Sequence, residues 1–180
     1  QVGRDRGSSP VKAMKASLDY FSTNFSPYQF RQVRILEFPA YEDFAQSFAN
    51  TIPYSEGIGF IADYRDPEKI DMVTYVTAHE IGHQWWGHQV TSADQQGGTF
   101  LVIEELPLVR VEDQGYIHYQ KGALALYLLK DQIGADKVNE ALRGLLAEFA
   151  FKPAPYANSR DLVRRFREVA GPEHEQLISD

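Results

Sequence analysis

Apolar residues recur at helical spacing near the start of the chain and again through its last third. A serine followed by a proline at positions 9 and 10 is typical of a helix start. The apolar face that follows consists of Val11, Met14, Leu18, Phe21 and Phe25. Three more helices are predicted late in the chain: over residues 116–131, from Asp136 as N-cap, and from Ser159 as N-cap to Gly171.

Strand-like patterns are confined to the early part of the chain. Residues 32–38 predict one strand and residues 58–62 a second. Between them, residues 39–58 lack a clear period and predict a loop with a short helical piece over 41–48. Because strands precede helices, the predicted fold class is α+β, with a small N-terminal sheet followed mostly by helices.

A further helix is predicted in the middle of the chain. Asp66-Pro67-Glu68 predicts a turn ahead of this helix, with acidic residues at its start. One face of this helix consists of Met72, Val76, His79, His83 and Trp86. Both histidines are therefore predicted to lie on the apolar face.

This central helix carries an H-E-x-x-H sequence at residues 79–83. Residues four apart on a helix share a face, so both imidazoles can bind one Zn²⁺ while Glu80 reaches a water on the open side of the metal. The alternative is an exposed helix that carries these residues by chance. A single histidine on an apolar face is usually a core residue, but two at this spacing around a glutamate are better explained as ligands and base.

Composition narrows the functional classes. A net charge of -7 argues against a nucleic-acid-binding surface, which is normally basic. With no cysteine, the chain has no disulfide, no cysteine-bound zinc and no thiol nucleophile.

There is no apolar run long enough for a transmembrane helix, so a soluble domain is expected, with all 180 residues in one domain. Because Gln1 is not an initiator residue, we expect the chain to be a piece of a longer protein.

Two stretches resemble a known enzyme family. His79 to His88 resembles the H-E-x-x-H-Q-W-x-G stretch of zinc aminopeptidases related to aminopeptidase N. Its W-W-G-H-Q-V form is similar to a bacterial branch whose peptidase domain is attached to a membrane-transporter permease. Residues 119–123 match the family's Y-x-K-G-A.

The resemblance implies a thermolysin-like gluzincin catalytic domain that hydrolyses peptides with one Zn²⁺. His79 and His83 would bind the metal, Glu80 would be general base and acid, and Tyr119 would hydrogen-bond the oxyanion. It also implies an extracytoplasmic setting and a membrane-attached parent or transporter partner, while no protein-partner motif is evident.

The family's Gly-x-Met-Glu-Asn-x-Gly motif, whose glutamate holds the substrate's free amine, is only partly present. Residues 53–59 keep the glutamate, as Glu56, and the last glycine. Glu56 is the candidate amine anchor. Because the first glycine, the methionine and the asparagine are lost, aminopeptidase and endopeptidase activity both stay open.

The third metal ligand departs from the family pattern. In the family a glutamate follows the second histidine after 18 intervening residues, and that position is Val102 here. The candidate is Glu104, with Asp94 and Glu105 as fallbacks, and a segment is expected to be missing near residues 102–104. This departure favours an alternative function, a catalytically weak or inactive peptidase-like binding or regulatory module that is linked to a membrane transporter and serves the transporter or a peptide partner.

Overall fold

The computed structural model describes residues 9–61, 70–91 and 121–179, and they fall into two compact units, Gln1–Gln89 and Val90–Asp180. The elements of the first unit are α1 (Pro10–Asn24), β1 (Arg34–Phe38), β2 (Thr51–Ser55), α2 (Glu56–Gly59) and α3 (Met72–Gly82). Those of the second are α4 (Gly122–Ile133), α5 (Ala135–Phe149), α6 (Ser159–Ala170), a 3₁₀ turn (Pro172–His174) and α7 (Glu175–Ser179). The expectation of a single catalytic domain stays a prediction.

Helix α1 begins where the sequence predicts. Ser9 is its N-cap, and the serine Oγ accepts a hydrogen bond from the Lys12 N–H at 3.2 Å. The buried face was predicted less well, because Val11 is 53% exposed while Ala13 and Ser17 are buried. These small side chains lie on a helix that packs against α3, and small residues let two helices approach closely.

The sheet is small and centred on β2. Strands β1 and β2 pair in parallel, from Arg34 opposite Thr51 to Phe38 opposite Ser55. On the other edge of β2, residues 44–48 run antiparallel, with the Phe48 N–H donating to the Thr51 carbonyl at 2.8 Å and the Ser55 N–H to the Phe44 carbonyl at 3.0 Å. Strand β2 is therefore paired on both edges.

Two predictions in this region were wrong. Residues 41–48 are not helical, because their backbone pairs with β2. No strand covers residues 58–61, because a helical turn, α2, follows β2 directly, and Ser55 caps it by accepting from the Gly57 N–H at 3.2 Å. Residue 62 of the predicted strand lies outside the described residues.

Helix α3 carries the H-E-x-x-H sequence. Asp71 caps it, with its Oδ1 accepting from the Thr74 N–H at 3.1 Å. The predicted start at residues 66–68 lies outside the part of the chain that the structure describes. The buried residues of the helix are Val73, Thr77, Glu80 and Ile81. The apolar face is thus one position away from the predicted one, and Met72 is 42% exposed.

The second unit is helical in its described residues. Its core joins α4, α5 and α6 through Leu129, Ile133, Ala141, Phe166 and Ala170. Two predicted N-caps were off by one or two residues. Gly134, at φ +89, precedes α5 in place of Asp136, and Asn158 caps α6 in a capping box with Asp161, so that Ser159 is the first helical residue.

A small early sheet followed by helices is compatible with the α+β prediction, while the thermolysin-like architecture stays a prediction. Within the described ranges, no helix is long and apolar enough to cross a membrane.

Candidate metal and catalytic site

His79 and His83 lie side by side at the C-terminal end of α3. Their Nε2 atoms are 3.1 Å apart, and the ring planes are nearly perpendicular, at 89°. Two nitrogens that bind one tetrahedral zinc at about 2.0–2.1 Å are themselves about 3.4 Å apart. The observed separation is close to that value, so the pair fits a shared metal with little adjustment.

The other ring nitrogen of His83 has a backbone partner. Its Nδ1 lies 3.2 Å from the carbonyl oxygen of Trp86. A carbonyl oxygen only accepts, so in the neutral ring this hydrogen bond places the proton on Nδ1 and the lone pair on Nε2, which faces His79 Nε2 at 3.1 Å. Metal-binding histidines in proteins usually have such a partner, which fixes the tautomer and orients the ring.

Histidines bind metal in the neutral form. Partial burial, and secondarily the nearby charge of His83, lower the pKa of His79 below its usual value. A lowered pKa keeps the His79 ring neutral at physiological pH, and therefore available as a ligand.

Glu80 lies on the buried face of α3. Its side chain is only 5% exposed, and burial raises the pKa of its carboxyl group. The charge of His83 and a hydrogen bond from the backbone N–H of Ser47 act in the opposite direction on that pKa.

The side chain of Gln84, which follows the second histidine, has a role that the sequence did not reveal. It is fully buried, and its Nε2 donates to Ser47 Oγ at 2.6 Å and to the Phe48 carbonyl at 2.9 Å. Its Oε1 accepts from the Asn50 N–H at 3.0 Å and lies 3.3 Å from the Tyr28 hydroxyl. The sequence carried one signal for this role: Gln84 is a polar residue directly after the second histidine and four positions after Glu80.

Aromatic packing supports the end of α3. Trp85 is fully buried against Phe21, at 5.3 Å between ring centroids, and its Nε1 donates to the Ser26 carbonyl at 3.0 Å. Trp86 packs edge-on against Phe25, at 4.7 Å. The two tryptophans therefore tie the end of the motif helix to α1 and the segment after it.

The candidate amine anchor, Glu56, is the first residue of α2, and this helical turn contacts both β2 and α3. One carboxylate oxygen accepts a hydrogen bond from the Ala40 N–H at 3.0 Å. Glu56 is half-buried in a structured turn, not in a free loop.

Several predicted residues lie outside the described part of the chain. These are Tyr119, Glu104, and the fallback ligands Asp94 and Glu105. Among the described residues, no group of three histidine, aspartate or glutamate side chains could hold a metal ion. The structure thus brings two of the predicted ligands together, while metal binding and the third ligand stay predictions.

No protein-family model matches the chain. It is 24% identical, over 131 residues, to a protein named "Probable aminopeptidase 1" from Sulfurisphaera tokodaii. The match covers 67% of this chain but 17% of that protein, so the chain corresponds to a small part of that relative's length. At this identity the similarity is distant, and it hints at an aminopeptidase-like hydrolase.

Proposed function

We propose that the chain is part of a zinc-dependent, aminopeptidase-like peptide hydrolase. The observation that carries the proposal is the 3.1 Å separation of the two Nε2 atoms in an H-E-x-x-H helix, with the intervening glutamate buried. The distant similarity to an aminopeptidase points in the same direction.

In this proposal His79 and His83 hold the metal, with Glu104 as the third ligand. A bound zinc would polarise the scissile carbonyl and lower the pKa of a water toward ~7. The chain's own contribution begins with Glu80, which takes the proton of the attacking water and passes it to the leaving amine. Because burial raises its pKa, the carboxyl group can hold that proton between the two steps.

Two further residues complete the proposed site. Tyr119 would donate a hydrogen bond to the oxyanion that forms on the attacked carbonyl. Glu56 would pair with the free amine of the substrate, because an ammonium group placed beside a carboxylate is fixed in position as well as charge-matched. The membrane-attached, extracytoplasmic parent and the transporter partner rest on the W-W-G-H-Q-V resemblance alone and are part of the proposal.

The test combines metal content with turnover. The purified chain is dialysed against a weak chelator, its zinc is measured by elemental analysis, and hydrolysis of an aminoacyl nitroanilide is followed with zinc added. About one zinc per chain together with hydrolysis supports the proposal. Zinc loss without turnover contradicts it and favours the inactive binding module, which the departure of the third-ligand spacing in the sequence also favours. An N-acetylated peptide, run in parallel, separates endopeptidase from aminopeptidase activity.

A further inference from the structure

An aromatic cluster, formed by Phe38, Tyr41 and Phe44, lies in the first unit at the end of the small sheet. The ring centroids of Phe38 and Phe44 are 5.1 Å apart, and those of Phe38 and Tyr41 are 5.5 Å apart. Both distances are typical of paired aromatic side chains. Tyr41 is 74% exposed and Phe44 is 45% exposed, so the cluster presents aromatic surface to solvent. Contiguous exposed apolar surface, unlike a single exposed side chain, marks a site of interaction.

Strand pairing brings this cluster to the proposed amine anchor. Phe38 is opposite Ser55, the last residue of β2, in the parallel pair of strands. On the other edge of β2, the Ser55 N–H donates to the Phe44 carbonyl at 3.0 Å. Phe38 and Phe44 therefore flank the residue that directly precedes Glu56.

The loop that carries Tyr41 is bonded to the same turn. The Ala40 N–H, directly before Tyr41, donates to a carboxylate oxygen of Glu56 at 3.0 Å. The Ser55 hydroxyl donates to the Glu42 carbonyl at 2.7 Å. A carboxylate has two oxygens that can each accept more than one hydrogen bond, so Glu56 can accept from a further donor.

The charge of this region favours a cationic occupant. Residues 35–56 contain four acidic side chains and no lysine or arginine; the acidic residues are Glu37, Glu42, Asp43 and Glu56. A local excess of negative charge attracts an ammonium group, while aromatic rings pack against an apolar side chain. The N-terminal residue of a peptide carries an ammonium group and a side chain on the same carbon atom, and it matches both features when that side chain is large and apolar.

We propose that the aromatic cluster binds the side chain of the substrate's N-terminal residue while Glu56 holds its amine, so that the preferred substrates are peptides that begin with an aromatic residue. This inference rests on the proposed function, because it names the substrate class of that site. Since the amine and the side chain share one Cα atom, an amine held at Glu56 places the side chain beside the same turn. An aromatic side chain gains more from an aromatic cluster than the methyl group of alanine does.

The experiment compares two substrates, phenylalanyl and alanyl nitroanilide, with zinc present. For the wild-type chain we expect kcat/KM to be about tenfold or more higher for the phenylalanyl substrate, as partial burial of a large apolar side chain gives. In Tyr41→Ala this preference should fall by about threefold to tenfold, the loss expected for one aromatic pair. Tyr41 is the most exposed member of the cluster, so its replacement removes little from the core.

Phe48 provides a matched control. It is also an exposed aromatic residue next to β2, but it is opposite Thr51, at the start of that strand and four residues before Ser55. Phe48→Ala should therefore keep the wild-type preference for the phenylalanyl substrate. A loss of preference that reflects only a loosened sheet would occur in both variants.

Binding without turnover gives an independent readout. In a Glu80→Gln chain, calorimetric titration should show that Phe-Ala-Ala binds about tenfold more tightly than Ala-Ala-Ala, and that Tyr41→Ala reduces this difference. If the wild-type chain hydrolyses neither nitroanilide, the proposed function is refuted, and the titration alone decides whether the cluster binds an aromatic N-terminal residue.

Equal kcat/KM values for the two substrates in wild type, or the same preference in Tyr41→Ala as in wild type, would overturn the inference. So would a sedimentation experiment in which Tyr41→Ala turns a dimer into a monomer while the substrate preference stays, because the cluster would then be a contact between copies of the chain. Should Tyr41→Ala fail to fold, as judged by circular dichroism, Tyr41→Gln replaces it, since glutamine removes the ring but keeps a long side chain.

Discussion

In the proposed reaction Glu80 and the two histidines of the motif have separable roles, because their side chains lie in different surroundings. The histidine Nε2 atoms lie 3.1 Å apart, whereas Glu80 lies on the buried face of α3 and is only 5% exposed. Replacing Glu80 by glutamine should therefore leave zinc binding intact and lower kcat by about 10²–10⁴-fold, the usual contribution of a general acid–base. Zinc content and kcat are measured on the same preparation. A Glu80→Gln protein that stays fully active would show that another group is the base.

The ligand role of His83 can be tested against a nearby histidine. His83→Ala should lose tightly bound zinc, because one imidazole cannot replace the converging pair. His88 lies five positions on, and its described contact is a backbone hydrogen bond to the His83 carbonyl at 3.1 Å. His88→Ala should thus retain zinc, as measured by elemental analysis after dialysis against a chelator. Equal zinc loss in both variants would place the metal elsewhere.

Glu56 should control the preference for a free amine. Glu56→Gln keeps the shape of the side chain but removes the charge that would pair with an ammonium group. We expect kcat/KM for an aminoacyl substrate to fall by about tenfold or more, since a charge-assisted hydrogen bond contributes about 1.5–3 kcal/mol. Hydrolysis of an N-acetylated peptide should change little. Glu37→Gln, at an exposed position on β1, controls for the loss of one negative charge.

For individual residues, the sequence predicted the positions of side chains whose arrangement depends on spacing along one helix. The convergence of His79 and His83 follows from their four-residue separation, and the structure shows it. The partners of Gln84 come from residues more than 30 positions earlier in the chain, and no local pattern could indicate them. Long-range polar contacts are fixed by tertiary packing, which a single sequence does not display.

Elements were predictable where local signals agree with packing. The start of α1 and the end of α6 at Gly171 carry strong capping signals, and both were confirmed. The sequence did not predict strand β2, because this strand is defined by its pairing. Ile52 and Tyr54 are buried, and β2 is hydrogen-bonded to β1 on one edge and to residues 44–48 on the other. A strand made by such pairing has little intrinsic signal.

Charge pairing between α5 and α6 gives a prediction on pH. Glu148 accepts hydrogen bonds from both Arg164 and Arg165, and these contacts lower its pKa below the usual value. The folded pKa is thus below the unfolded value of about 4.3. The stabilisation is fully present above about pH 4.3 and is lost as the pH falls through the folded pKa.

Glu148→Gln should therefore lower Tm at neutral pH, by on the order of 2–4 °C, since the network is exposed to solvent. The difference from wild type should shrink in acid, as the wild-type carboxylate becomes protonated. Thermal unfolding followed by circular dichroism at pH 7 and in acid measures both. Glu140→Gln, at an exposed position on the same helix, is the control, and a pH-independent difference would contradict the linkage.

For the whole molecule, metal binding and folding are linked, since a site that exists only in the folded chain stabilises that chain when it is filled. With free zinc at about 100 times its dissociation constant, the gain is roughly 2.7 kcal/mol. For a chain of 180 residues this raises Tm by about 5–10 °C. The dissociation constant is obtained separately by competition with a coloured chelator.

At a fixed multiple of the dissociation constant every site gives the same shift, so the dissociation constant itself reports whether a third ligand completes the pair of His79 and His83. Three protein ligands are normal for a catalytic zinc, and the described residues contain two of the proposed three, His79 and His83. Zinc binding in wild type that survives dialysis against the chelator and is abolished in His83→Ala means that a third ligand joins the pair, and Glu104→Gln then tests its identity. A similar shift in both proteins would mean that zinc binds outside the motif helix. Without a shift in wild type the site is incomplete, and the chain is better described as a peptidase-like binding module.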